Sequence, residues 1–501
     1  MSPLRKIMLV AAVLTTACSS NEPSVAPVVR TCPVAKLAPG PWYRAVAPSE
    51  HGNDSRRTHT YAAACSTVSE QQPGFVIAAA NDLPGLYNIV TREPGEVFAL
   101  GGSFGHIHAG AGPYVVKLDP LKMKTLWRTP LPGISERDWN YPGAMGVHAN
   151  GDLYAIYGRH LARLDAASGE VKAHALLPVN QSATDVAYNG FSLLGGGRIV
   201  AKSIHRKPGC TAPDFQAFLS CETTGIAAST LVLVDPQTLA VEQSLIAPEH
   251  IRFRVTVARL DGVEYVYMPG EERIRRYRYV GGRLQADNDW SAAYRLEGQM
   301  PGTAVAALGD WIVIQTNGIP ATAPLSIVAI SQRDAAKQFR SEPFHDSRVA
   351  GSFIPSLPTV DEDNRRIYTF DGFAGEVAAL DFSEEQGFST AWKARQRSFA
   401  FSALVGPPAA RVLVSTDLDA FLPRLVFEHL SPGLRSRVMQ LDLAPPKEAV
   451  VWRAAGDGHE LARSGAVAAV AGSVPTPGHF GWLWVPDLHD ETLLRFSPAQ
   501  P

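Results

Sequence analysis

Two short phrases alternate along this chain, and nothing else in it limits the fold as tightly. The first is a β-rich run, often set off by a Gly or Asp turn. It reads GEVFALGG, GDLYAIYG, GRIVAKS, EYVYMPG, DWIVIQTNG, RIYTFDG, RVLVSTD and GWLWVPD in chain order. Tyr, Val, Ile and Trp at alternate places mark half-buried strands. The second phrase follows each of these: apolar-x-apolar-Asp, a turn, then often Trp. It appears as VVKLDPLKMKTLWR from Val115, LARLDAASGEV from Leu161 and LVLVDPQTLAV from Leu231. Weaker copies begin at Ile274 and Ser326. VAALDFSEEQGFSTAWK from Val377, RVMQLDLAPPKEAVVWR from Arg437 and LLRFSPAQP at the C-terminus complete the series.

The repeat is roughly 40–70 residues long, the size of one propeller blade. A four-stranded sheet cannot bury both faces alone, so such sheets stack around an axis. Asp after the third strand suits a turn, because its carboxylate can accept backbone amides two residues on. Trp127, Trp392 and Trp452 are expected on outer strands, packed between neighbouring blades. The spacing stretches around Cys210–Cys221 and around Ala420–Pro432, which read as loops inserted into blades. Gly 42 and Pro 38, spread along the 501 residues, agree with many turns. The expectation is an all-β propeller over residues 87–501, with eight blades favoured over seven. Residues 30–86 should pack on it, and Val76-Ile77-Ala78 should supply the strand that closes the ring, removing an exposed edge.

On the phrases LARLDAASGEV and VAALDFSEEQGFSTAWK the chain resembles the pyrroloquinoline-quinone-like propeller family. That family runs from quinone-dependent dehydrogenases to outer-membrane assembly lipoproteins without catalytic activity, so the resemblance implies a fold and leaves the function open.

The N-terminus begins MSPLRKIMLVAAVLTTAC, with Arg5 and Lys6 ahead of an apolar run too short to span a bilayer. Residues 1–17 read as a signal peptide. Their small-residue ending at Ala17-Cys18 resembles a bacterial lipoprotein lipobox, which implies lipidation of Cys18 and anchoring to the membrane. Ser19 after Cys18, with no Asp there, implies the outer membrane, with the protein facing the periplasm. Residues 18–29 read as a flexible tether. The other cysteines are Cys32, Cys65, Cys210 and Cys221, an even number in an exported chain. Three pairings are possible. Cys210 with Cys221 closes a short loop, and Cys32 with Cys65 follows by elimination.

Sites are harder to read. LGGSFGHIHAGAG (Leu100 to Gly112) contains G-x-S-x-G, but no helix follows, so Ser103 lacks the setting of a nucleophile elbow. His106 and His108 are two apart and can face one ion. A third ligand would have to come from elsewhere, with His51, Asp54, His59 and His148 as the nearby choices. Asn81, Asp82, Asp185 and Asn189 lie at apparent blade entrances, where they could line an axial ligand funnel or hold one divalent metal such as calcium. No Cys-Cys pair and no C-x-x-C-H occur. Net charge is −2, which gives no basic footprint for nucleic acid. The interleaved IRRYRYVGGR (Ile274 to Arg283) therefore reads as an ordinary strand. The leading expectation is an envelope-anchored binding or scaffolding lipoprotein without a cofactor, partnered by another envelope protein or a small ligand. The alternatives are a metal-assisted hydrolase or lactonase and, behind it, a quinone-dependent dehydrogenase.

Overall fold

A computed structural model describes residues 40–499 except 50–51, 70–73, 103–111, 135–137, 213–216, 218–220, 222–223, 317–322, 346–356, 373, 399, 419–446, 469, 471–473 and 489. The described residues form eight sheets arranged as a β-propeller. The blades span 88–130, 144–176, 186–246, 256–293, 305–341, 359–395, 403–468 and 476–498, and are numbered 1 to 8 below. Strands follow one another from the inside outwards, each antiparallel to the last. All eight β-rich phrases are second strands, from Val97–Gly101 in blade 1 to Leu483–Asp487 in blade 8. Blade 8 takes its outer strand from the other end of the chain: Phe75–Ala80 pairs antiparallel with Thr492–Pro498, Phe75 against Pro498 and Ala80 against Leu493.

The Asp turns are held as their chemistry demands. Asp119 Oδ1 accepts the amides of Leu121 and Lys122 at 2.9 and 3.0 Å. Asp165 and Asp235 do the same for Ala167 and Ser168, and for Gln237 and Thr238. Amides from the turn hold the Asp119 and Asp235 carboxyls below the usual carboxylate range.

Tryptophan links one blade to the next. Trp127, Trp290 and Trp392, on the outer strands of blades 1, 4 and 6, donate their indole N–H to Ala167, Ser331 and Ala455 at 3.0–3.1 Å. Each acceptor lies at the turn between the third and fourth strands of the following blade. Two of the rings need a glycine beneath them. A Cβ on Gly169 would stand 2.7 Å from Trp127, and one on Gly458 2.5 Å from Trp392.

Two expectations about blade 7 are corrected. Trp452 lies on the third strand, Glu448–Ala454, not on the outer one, and its ring stacks on Phe75 of blade 8 at 5.1 Å. The turn after that strand is AAGDGHE, so the third-strand copy here is EAVVWRA; the RVMQLD run from Arg437 lies outside the described residues. The interleaved strand Arg273–Val280 is built around Arg276. Its guanidinium stacks on Tyr265 and Trp290 at 4.1 and 4.8 Å and bonds Asp287 at 2.7 Å.

Gly458 also has φ +79, so Gly458→Ala meets both backbone strain and the Trp392 ring. We expect a loss of about 1–3 kcal/mol, read as a lowered urea midpoint, while the exposed Gly465→Ala, with nothing near its Cβ position, stays within about 0.5 kcal/mol.

Candidate functional site: the propeller axis and its long-loop face

Antiparallel blades sort their connections onto two faces. Turns between first and second strands and between third and fourth strands leave one face, and they are short: Val147 to Leu153, Leu164 to Val171, Leu260 to Val263. Connections between second and third strands, and from blade to blade, leave the other face. The long ones are all there: Gly101 to Tyr114, His205 to Thr230, Gln315 to Ile327, Ser341 to Thr359 and Asp417 to Glu448. The Cys210–Cys221 disulfide sits in one of them. We call these the hairpin face and the loop face.

The chain enters at Gly40 on the hairpin face, where the Pro41 carbonyl accepts the Ala149 amide from a blade 2 turn. It then runs around the inside of the ring. The inner strand of each blade has a free edge towards the axis, with amides that need acceptors. One equivalent amide per blade finds its acceptor on this segment. Thr91 donates to Ala47 O (2.8 Å), Val147 to Pro48 O (2.7 Å) and Leu193 to Ser55 Oγ (3.1 Å). Val257 donates to Ser55 O (2.8 Å), Ala307 to Arg56 O (3.0 Å), Val360 to Thr58 O (2.8 Å) and Leu404 to His59 O (2.9 Å). Each donor lies opposite the matching apolar residue of its second-strand phrase, from Val97 in blade 1 to Leu413 in blade 7. The eighth position, opposite Leu483, is Pro477, which has no amide to satisfy. The segment thus visits blades 1 to 7 in order and leaves as Thr60–Tyr61, paired parallel with blade 7.

Such a tight path costs backbone freedom. Asn53, Arg57 and His59 all have φ between 56° and 67°, and a non-glycine residue holds that region only when its surroundings insist. Asp54 Oδ1 accepts the amides of Arg56 and Arg57. Ser55 is the hub. Its hydroxyl accepts from Trp42 Nε1 at 2.9 Å, donates to Leu193 O at 2.7 Å and takes the Leu193 amide.

Arg57 projects from this strap between blades 3 and 4. Its Nε donates to Val255 O at 2.6 Å and its Nη2 to Phe191 O at 3.2 Å. Two further cations lie beside it, Lys202 on the second strand of blade 3 and Arg254 on the link into blade 4. All three are at most 5% exposed. Burial, with Arg254 and Arg57 close by, pushes the Lys202 amine well down. The rings of His205 and His250 lie with centroids 5.8 Å apart and are tilted by 32°. Burial takes His205 down to about 3, and it lowers His250 as well, so both rings are neutral near pH 7.

The residues singled out from the sequence scatter. Asn189 is buried on the inner strand of blade 3; its Nδ2 donates to Arg252 O and its Oδ1 has no hydrogen-bond partner among the described residues. Asp185 is tied to Arg206 at 3.2 Å. Asn81 and Asp82 are exposed, just after the outer strand of blade 8, far from the innermost strands in sheet order. His148 is held in a hairpin-face turn by Gly197 O, and His59 and Asp54 belong to the strap. Ser103, His106, His108, His51, Cys18 and Cys32 lie outside the described residues. Cys65 is disulfide-bonded. Among the described residues no three His, Cys, Asp or Glu side chains gather as a metal-binding group.

No family model and no curated protein matches the chain. Solved structures do. The quinohemoprotein alcohol dehydrogenase of Comamonas testosteroni matches with a TM-score of 0.56 at 10% identity, over 94% of this chain and 84% of that one. A quinohemoprotein alcohol dehydrogenase of Pseudomonas putida HK5 matches with 0.55 at 9%, over 92% and 81%. BamB of Moraxella catarrhalis matches with 0.49 at 11%, over 84% and 98%. The first two likenesses show the fold, a β-propeller, and at such identities nothing more.

Arg57, Lys202 and Arg254 were not singled out from the sequence. A lysine inside the apolar strand run GRIVAKS was the one available signal.

Because the Ser55 hydroxyl serves three partners, Ser55→Ala leaves Leu193 N and Trp42 Nε1 without acceptors. We expect a cost of about 1–3 kcal/mol, measured by chemical denaturation, against a few tenths for exposed Ser168→Ala on a turn.

Proposed function

We propose that this protein is a lipid-anchored scaffold of the cell envelope that works through its loop face. One observation carries the reading: the strap bonds seven of the eight inner edges near the hairpin face, while the long connections between successive propeller strands open on the other. Binding surfaces are commonly built on loops held by a rigid frame. Anchor and working surface then stand at opposite ends. The described chain begins at Gly40 on the hairpin face, and on this reading a lipidated Cys18 anchors that end to the outer membrane, so the loop face points into the periplasm towards a protein partner or a small ligand.

The test places a photo-crosslinking residue at exposed Thr211 on the loop face or at exposed Leu121 on the hairpin face, in the full chain in its own envelope. A discrete partner band from Thr211 and none from Leu121 is expected. A band from Leu121 alone, or from neither, overturns the scaffold reading. Cys18→Ser is expected to release the protein from membranes, and retention would overturn the anchor.

A further inference from the structure

We propose that the seam between blades 8 and 1 carries, on the hairpin face, a patch that enters the surface of a phospholipid bilayer. This deepens the orientation read above, in which the anchored end faces the membrane, and rests on that reading for which end is presented. Two turns from neighbouring blades meet at the seam. Phe480 lies in the first turn of blade 8, between Thr476–Pro477 and Leu483–Asp487, and its ring stands edge-on to Trp482 at 5.1 Å. The Arg495 guanidinium lies over the Trp482 ring at 4.9 Å, and its Nη1 donates to Pro120 O in the turn between the third and fourth strands of blade 1. Leu121 follows directly. Pro120, His479 and Trp482 line one small cavity between the blades, so the two turns lie side by side.

These side chains are held where water makes them costly. Leu121, at 72%, is the most exposed large apolar side chain among the described residues, and Phe480 is 55% exposed. Phe480 also holds φ +60, a region that glycine and asparagine enter far more readily than an aromatic residue. A strained backbone that presents a ring to solvent points to a use for the ring. The charges around it suit a headgroup layer. Lys122 and Lys124, beside Leu121, are exposed, and Lys122 approaches Asp119 only to 3.8 Å. Aromatic and aliphatic side chains rimmed by lysines match a membrane interface, with rings at headgroup level and ammonium groups on phosphates. The described chain begins at Gly40 on this same face. An anchor on Cys18 therefore brings a bilayer to the patch, and a bilayer is the occupant assigned to it.

Lipid photo-crosslinking tests this on the purified full chain carrying Cys18→Ser, so that no acyl chain contributes. The protein is mixed with vesicles of phosphatidylethanolamine and phosphatidylglycerol, with a benzophenone side chain at position 480, 121 or 211. Phospholipid adducts, read by mass spectrometry, are expected from 480 and 121 and not from 211 on the loop face. Phe480→Asn removes the ring and suits the left-handed backbone, so the turn should persist. It should lower the adduct yield from position 121 several-fold, while Ile246→Asn, an equally exposed apolar residue on the outer strand of blade 3, should leave that yield unchanged. Absence of an adduct from 480 or from 121 overturns the patch. So does an equal yield from 211, or an undiminished yield in Phe480→Asn. A few apolar side chains hold a bilayer only reversibly, so release of Cys18→Ser on washing still reports the anchor, and each reading can fail alone.

Discussion

A ring of radial sheets creates a problem at its centre. Every inner strand turns an unpaired edge to the axis, and each edge carries amides that no neighbouring strand can reach. Here the chain answers with its own N-terminal segment. Residues 47–48 and 55–59 accept one equivalent amide from each of seven blades, and proline replaces the donor in the eighth. Each such bond contributes about 0.5–1.5 kcal/mol net. Together they offset the left-handed backbone at Asn53, Arg57 and His59. The same segment continues to Phe75–Ala80 and closes the outer edge of blade 8, so one stretch of chain treats both the inner rim and the seam.

Function follows from this asymmetry. With the strap near the hairpin face, the two ends of the propeller are no longer alike. One end holds the short strand turns and the first described residues; the other holds the long connections between successive propeller strands. Arg57 ties the strap to the blades through its side chain as well, since its guanidinium bonds the Val255 and Phe191 carbonyls. Fold likeness to dehydrogenases at 9–10% identity says nothing about which chemistry, if any, this centre performs.

Much of the fold was legible in the chain because blade strands are local and periodic. Apolar alternation located all eight second strands, and Asp after the third strand announced its turn at Asp119, Asp165 and Asp235. Reading failed where two similar runs competed: RVMQLD resembles the phrase better than EAVVWRA, yet the latter pairs with Val412–Asp417. The strap was not legible at all. HGNDSRRTHT is polar, aperiodic and rich in ligand-type residues, so it reads as a surface loop; only its distant partners, from Thr91 to Leu404, give it a buried place. Lys202 was hidden for a related reason, because its meaning depends on Arg57 and Arg254, which are 145 and 52 residues away in sequence (202 − 57 and 254 − 202).

Hydrogen exchange on the backbone tests the strap most directly. The amides of Thr91, Val147, Leu193, Val257, Ala307, Val360 and Leu404 should be strongly protected in the full chain, and should lose that protection together in a chain lacking residues 40–59, while second-strand amides such as Leu413 stay protected. If those seven amides exchange rapidly in the intact protein, or if deletion leaves them unchanged, the strap does not seal the axis and the account fails.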